Sequence, residues 1–234
     1  MIARAILTGA LALMLPGVTP AGEGAVFSRR QAEPGRVVGT VTLTAATSAR
    51  STARAYDSRS VAPRARPLPE SRNVIIFVDG LAAPADVIPT KATIAQKDEQ
   101  FVPHVVAITR GSTVTFPNDD PFFHNVFSLS RGANFNLGRY PTGVTRSRVL
   151  AKAGLVKVFC ELHSHMSAVI RVFDHPWFTI PEDDGRFAIA GVPSGEHTVV
   201  AWHERIGERR DRVTVRPGQT TSIAFTLPVL EPPQ

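Results

Sequence analysis

The chain has 234 residues, 43% of them apolar, which is enough for a packed core and excludes wholesale disorder. Its 26 Lys and Arg against 20 Asp and Glu leave a formal charge of +6. The single cysteine excludes an internal disulfide, an iron–sulfur cluster held by several cysteines and any site that needs two thiolates.

Residues 1–21 read as a secretory signal peptide. Arg4 supplies the positive start, Ala5 to Val18 the apolar run, and Thr19-Pro20-Ala21 the small residues of a cleavage point. The run is shorter than the ~20 residues of a comfortable span, so the alternative is an uncleaved anchor. The expectation is a periplasmic or secreted protein with no stable membrane insertion after cleavage.

Beyond the leader the apolar pattern has a period of two. Val37, Gly39, Val41 and Leu43 alternate with Val38, Thr40 and Thr42. Residues 45–72 carry six arginines (50, 54, 59, 64, 66, 72) against Asp57 and Glu70. That stretch reads as a solvated loop or as a docking arm for an acidic partner. Nucleic acid is a poor partner for an exported chain whose basic stretch has only Tyr56 for stacking. Residues 74–78, VIIFV, suit a buried strand, and 105–109 and 113–117 suit two more around an Arg110-Gly111 turn. Strand patterns recur at Val156/Val158/Cys160, at 167–173, at Phe187/Ile189, at Val213/Val215 and at Ile223/Phe225/Leu227. No segment keeps a 3.6-residue apolar period for three turns. Together with 17 Gly and 19 Pro, this predicts an all-β chain.

The lone cysteine carries the chemistry. A free thiol is unusual in an oxidising compartment, so something should occupy Cys160. It opens Cys160-Glu161-Leu162-His163-Ser164-His165-Met166, which holds a thiolate, two imidazoles and a thioether. Upstream, Asp119-Asp120-Pro121-Phe122-Phe123-His124-Asn125 places another histidine after a strand and a turn. A thiolate, two imidazoles and a weak axial thioether suit copper that cycles between two oxidation states. With His165 as a ligand, a Cys-His-His-His set would instead suit redox-silent zinc. The pairs Asp119-Asp120 and Asp183-Asp184 lie beside Pro or Gly and read as turn chemistry. There is no Gly-x-Ser-x-Gly elbow and no P-loop, so an enzyme is not expected. His104, His175, His197 and His203 read as positions without metal.

Residues 90–173 resemble the cupredoxins, the type 1 or blue copper proteins, and plastocyanin and amicyanin in particular. The resemblance is carried by Gly111-Ser112-Thr113-Val114-Thr115-Phe116-Pro117-Asn118, by His124-Asn125-Val126, and by the Cys-x2-His-x2-Met spacing at 160, 163 and 166. It implies a Greek-key β-sandwich with one type 1 copper per chain, held by His124, Cys160, His163 and axial Met166. It also implies that Asn125 braces the sulfur by hydrogen bonding. Asp183-Asp184-Gly185-Arg186-Phe187 to Val192-Pro193-Ser194-Gly195 resembles carboxypeptidase regulatory-like domains, which are small transthyretin-like β-sandwiches. On that resemblance 36–80 (with the basic loop 45–72) and 174–228 are two parts of one such sandwich, with the copper domain inserted between them; two domains in series is the alternative. Trp202 is expected to cap that sandwich. Proteins of this two-part look resemble those labelled methylamine utilisation proteins, which implies a periplasmic redox setting.

The function implied is one-electron transfer with a redox partner protein. The alternatives are a copper carrier without an electron-transfer role, and a structural surface protein with a vestigial metal site.

Overall fold

Alternating apolar residues bury one face of a strand, and continuous apolar runs bury both. The computed structural model describes residues 33–44 and 69–228, all within one unit, Ala32–Gln234. The leader 1–21 and residues 45–68 of the basic loop lie outside the described residues. Seventeen strands follow in order. The first two are β1 (Gly35–Leu43) and β2 (Val74–Asp79), the latter preceded by a 3-10 turn at Glu70–Asn73. Ten more run from Lys91 to Phe173: β3 (Lys91–Thr93), β4 (Ala95–Lys97), β5 (Gln100–Val102), β6 (Val105–Thr109), β7 (Ser112–Pro117), β8 (His124–Ser130), β9 (Ala133–Tyr140), β10 (Thr145–Leu150), β11 (Gly154–Phe159) and β12 (Ser167–Phe173). The last five are β13 (Phe178–Thr179), β14 (Arg186–Val192), β15 (Gly195–His203), β16 (Gly207–Val215) and β17 (Thr220–Leu227). The described residues contain no α-helix, and no helix among them is long and apolar enough to cross a membrane. The all-β expectation holds.

Four principal sheets are present, ordered β14-β1-β17, β13-β2-β15-β16, β6-β12-β11-β8-β9 and β10-β7-β3, with β4-β5 as a separate hairpin. Three apolar clusters join them face to face. The first two sheets share Val37, Val74, Ile76, Val78, Val199, Ala201 and Phe225 among others. The last two share Phe116, Val126, Tyr140, Val158, Cys160 and Met166. The third cluster, Ile75, Phe77, Val105, Val169, Phe173 and Val200, packs the second sheet against the third.

The run VIIFV therefore divides by parity. Val74, Ile76 and Val78 face one core, and Ile75 and Phe77 face the junction. β12 divides in the same way: Ala168, Ile170 and Val172 point one way and Val169 and Phe173 the other. β2 is hydrogen-bonded to β13 and β15, strands far along the chain. Arg171 lies at the junction with its guanidinium 4.6 Å from the Phe77 ring, 5.4 Å from Phe173 and 5.5 Å from Trp202. Trp202 thus packs between the sandwiches and does not cap one, because odd and even positions of β15 serve different cores.

Two glycines are demanded by close approach. A Cβ at Gly39 would sit 1.9 Å from the Ile223 carbonyl oxygen. Gly185 combines φ of +82° with a Cβ position 2.3 Å from the Val41 carbonyl oxygen, in the turn that leads into β14.

Candidate metal centre

The stretch that carries Cys160, His163 and Met166 joins β11 to β12. These strands pair from Gly154↔Val172 to Phe159↔Ser167, so Cys160 and Met166 flank the end of a regular ladder. The Met166 amide donates to the His163 carbonyl at 3.0 Å and the Cys160 amide to the Met166 carbonyl at 3.4 Å. The loop is thereby tied at its base, which brings His163 back over the cysteine. His124 opens β8, beside β11 in the same sheet.

Three donors converge. Cys160 Sγ lies 3.8 Å from His124 Nδ1 and 3.8 Å from His163 Nδ1, and the two Nδ1 atoms are 3.1 Å apart. A point equidistant from these three atoms is about 2.1 Å from each, within the ~2.0–2.3 Å of bonds from imidazole nitrogen and thiolate to a late first-row metal. Among the described residues, this is the group of His, Cys, Asp and Glu donors close enough to hold one ion. Met166 is buried in the same apolar cluster as Cys160.

The environment shifts both Cys160 and His124 toward their charged forms. Burial opposes the Cys160 thiolate, but hydrogen bonds with His124 and His163 and from the Asn125 and Leu162 amides outweigh it and bring its pKa down to about 6. Burial also opposes a charged His124, and the hydrogen bonds with Cys160 and Asp120 outweigh that and raise its pKa.

Asn125 meets the sulfur through its main-chain amide. Its side chain does other work: Nδ2 donates to Asn136 at 2.8 Å, and Oδ1 accepts from the Glu161 amide at 3.3 Å. It therefore ties β8 to β9 and to the first residue after the cysteine. His165 turns outward, 55% exposed at the side chain and 3.5 Å from the Glu99 carboxylate. It is not among the three converging donors.

Asp120 has a role beyond the turn chemistry that its place in the sequence suggests. Its amide does make the expected turn contact, donating to Asn118 Oδ1 at 3.0 Å. Its buried carboxylate also accepts from His124 Nε2 at 2.7 Å. The available signal was a carboxylate four residues before a candidate ligand. The other histidines are engaged elsewhere. His104 contacts Glu204 and the Ser167 carbonyl, each at 2.9 Å, His203 contacts Glu70 at 2.9 Å, and His197 the Pro193 carbonyl at 2.7 Å. His175 stacks on Trp177 and accepts its amide.

Apolar residues surround the outer edge. The Phe122 ring lies 5.1 Å from His124 and 5.5 Å from His163. Phe123 is 54% exposed, Leu162 is exposed nearby in sequence, and His163 is half-buried.

No protein-family model and no curated protein matches the chain. Solved structures do. A purple cupredoxin from Nitrosopumilus maritimus matches at 27% identity, over 35% of this chain and 98% of its own, with a TM-score of 0.32. A Cu(I) form of an amicyanin point mutant matches at 18% identity, over 42% of this chain and 97% of its own, with a TM-score of 0.34. The Cu-containing nitrite reductase of Thermus scotoductus SA-01 matches at 24% identity and a TM-score of 0.34, over 42% of this chain and only 25% of the reductase. The sandwich of Lys91–Phe173 is an all-β unit that gathers the Cys160 sulfur and two imidazole nitrogens.

Proposed function

We propose that this protein is an exported one-electron carrier, not an enzyme, with a single copper held by His124, Cys160, His163 and axial Met166. The observation that carries the reading is the convergence of one thiolate and two imidazole nitrogens, 3.1–3.8 Å apart, on a rigid β scaffold. When bound, the copper supplies a reversible one-electron couple. The chain's own residues keep that couple usable. Cys160 is pinned between β11 and β12, and the Asn125 and Leu162 amides donate to its sulfur. His124 is enclosed, so solvent would be kept from a bound copper on that side. His163 alone of the three approaches the surface, and beside it Phe122 and the exposed Phe123 offer an apolar contact for a redox partner. Such docking is small and short-lived, as electron exchange requires.

The leader at 1–21 supports export to the periplasm or medium. We further propose that the copper domain, 90–173, is inserted into a carboxypeptidase regulatory-like sandwich formed by 36–80 and 174–228. The pairing of β2 with β13 and β15 supports that arrangement over two domains in series. The basic stretch 45–72 would steer an acidic partner, at a rate that falls as salt rises.

The test is to load purified protein with Cu(II) and record its visible spectrum. Intense thiolate-to-copper absorption that disappears reversibly on reduction supports an electron carrier, and Cys160→Ser should abolish it. A colourless tight Cu(I) complex would point to a copper carrier instead. Absence of stoichiometric metal would leave a structural protein.

A further inference from the structure

A buried carboxylate with no bulk solvent must have its oxygens occupied, and Asp120 has both occupied by groups from two separate segments. Oδ1 accepts from the Asp98 amide at 2.6 Å; Oδ2 accepts from the Glu99 amide at 2.9 Å and from His124 Nε2 at 2.7 Å. Asp98 and Glu99 are the two central residues of the β4–β5 hairpin, between the paired Lys97 and Gln100. Both have positive φ, +54° and +55°. Such a turn favours Asn-Gly, Asp-Gly or Gly-Gly, so Glu99 is the residue that departs from the preference. The conformation is the one that points both amides at the same carboxylate. The loop carrying Asp120 is held from its other side as well, because the Thr142 hydroxyl donates to the Asp120 carbonyl at 2.5 Å.

We propose that Asp120 is a positioning residue of the metal centre, holding the proton of His124 on Nε2 so that Nδ1 faces Cys160 and His163, and that the Asp98–Glu99 turn, with Glu99 held at positive φ, serves to hold Asp120. The inference rests on the copper reading above for its effect on the metal, but its effect on His124 does not need a metal. An imidazole with Nε2–H held by a carboxylate is a more electron-rich donor at Nδ1, and that favours Cu(II) over Cu(I). The carboxylate thus sets both ring orientation and relative affinity from a hairpin that supplies no ligand.

The experiment uses the full chain in four forms: wild type, Asp120→Asn, Asp98→Asn/Glu99→Gly, and Asp120→Asn combined with Asp98→Asn and Glu99→Gly. The last pair installs a turn that tolerates positive φ without the carboxylate, so the fold survives if Asp120→Asn alone unfolds. The first readout is the nitrogen NMR signature of His124 in metal-free protein at a pH where the ring is neutral. The wild type should carry the proton on Nε2, and the triple variant should lose that bias. The second readout is copper. Cu(II) affinity should fall about 10–100-fold in the triple variant, with Cu(I) affinity falling less. Each tenfold difference between the two raises the reduction potential by about 59 mV. The double variant Asp98→Asn/Glu99→Gly, with Asp120 intact, should behave as wild type in both readouts. Wild-type His124 protonated on Nδ1, or a triple variant with unchanged ring signature, would overturn the proposal. So would a triple variant with unchanged Cu(II) affinity and potential. If the wild type binds no copper, the copper reading fails, and the ring signature still decides the role of Asp120.

Discussion

Tyr140→Phe removes a single oxygen from the centre of the Lys91–Phe173 sandwich. Tyr140 and Gln96 are both fully buried. The Tyr140 hydroxyl accepts from Gln96 Nε2 at 2.5 Å and donates to the Phe116 carbonyl at 3.0 Å. Burial raises the phenol pKa, so it stays neutral and keeps its proton to donate. Gln96 has few other options. Its Nε2 next meets the Pro117 carbonyl at 3.4 Å, and its Oε1 has no partner. Without the hydroxyl, the amide donor loses its good contact and the Phe116 carbonyl loses a donor. At ~1–3 kcal/mol for each buried group left unmade, partly relieved by Pro117, the cost should be about 2–4 kcal/mol. Gln96→Leu should cost less, about 0–1.5 kcal/mol, since it also removes the orphaned Oε1. The double variant should then be about 1–2 kcal/mol more stable than the sum of the single losses. Urea denaturation of the four proteins measures this cycle, with unchanged m-values as the sign that the denatured states are comparable. Additivity within about 0.5 kcal/mol, or a Tyr140→Phe loss below that figure, would refute the reasoning that the pair is a mutually dependent buried network.

Three further outcomes are expected. Glu70 is lowered to about 2, chiefly by its hydrogen bond with His203, with burial opposing and Arg205 assisting. A depressed carboxylate contributes stability above its ordinary value near 4.5 and loses it as pH falls through about 2. Allowing for solvent screening, Glu70→Gln should remove about 1–2 kcal/mol at neutral pH and flatten the acid side of the stability profile, measured by urea midpoints at pH 2 and 5. Arg171→Met should cost about 1–2 kcal/mol through the lost contacts with Phe77, Phe173 and Trp202, read by chemical denaturation; no loss would mean that the guanidinium adds nothing to the junction. Met166→Leu should keep the thiolate-to-copper band and raise the reduction potential by at least about 59 mV, a tenfold gain of Cu(I) over Cu(II) binding. An unchanged potential and spectrum would show that Met166 is not the axial ligand.

Much of the strand content was legible because burial writes itself into alternation. VIIFV, 105–109, 113–117 and 167–173 all read as strands before any coordinates. β10 was not legible, since five of its six residues face solvent along an edge and only Leu150 is buried. β3, β4 and β5 are three residues each, too short for a period to show.

The sequence by itself placed a thiol, an imidazole and a thioether in one short loop, because Cys160, His163 and Met166 lie within seven residues. It also determined that the chain is all-β, since period-two burial is a property of neighbouring residues. Only the tertiary structure decided which partner completes the site and what surrounds it. His124 arrives from 36 residues upstream through sheet pairing, and Asp120 changes from a turn residue to the partner of His124 because a hairpin near residue 98 meets it across the fold. The same holds for the parity of VIIFV: hydrophobicity requires that both faces be covered, but which core covers each face depends on sheets assembled from distant strands.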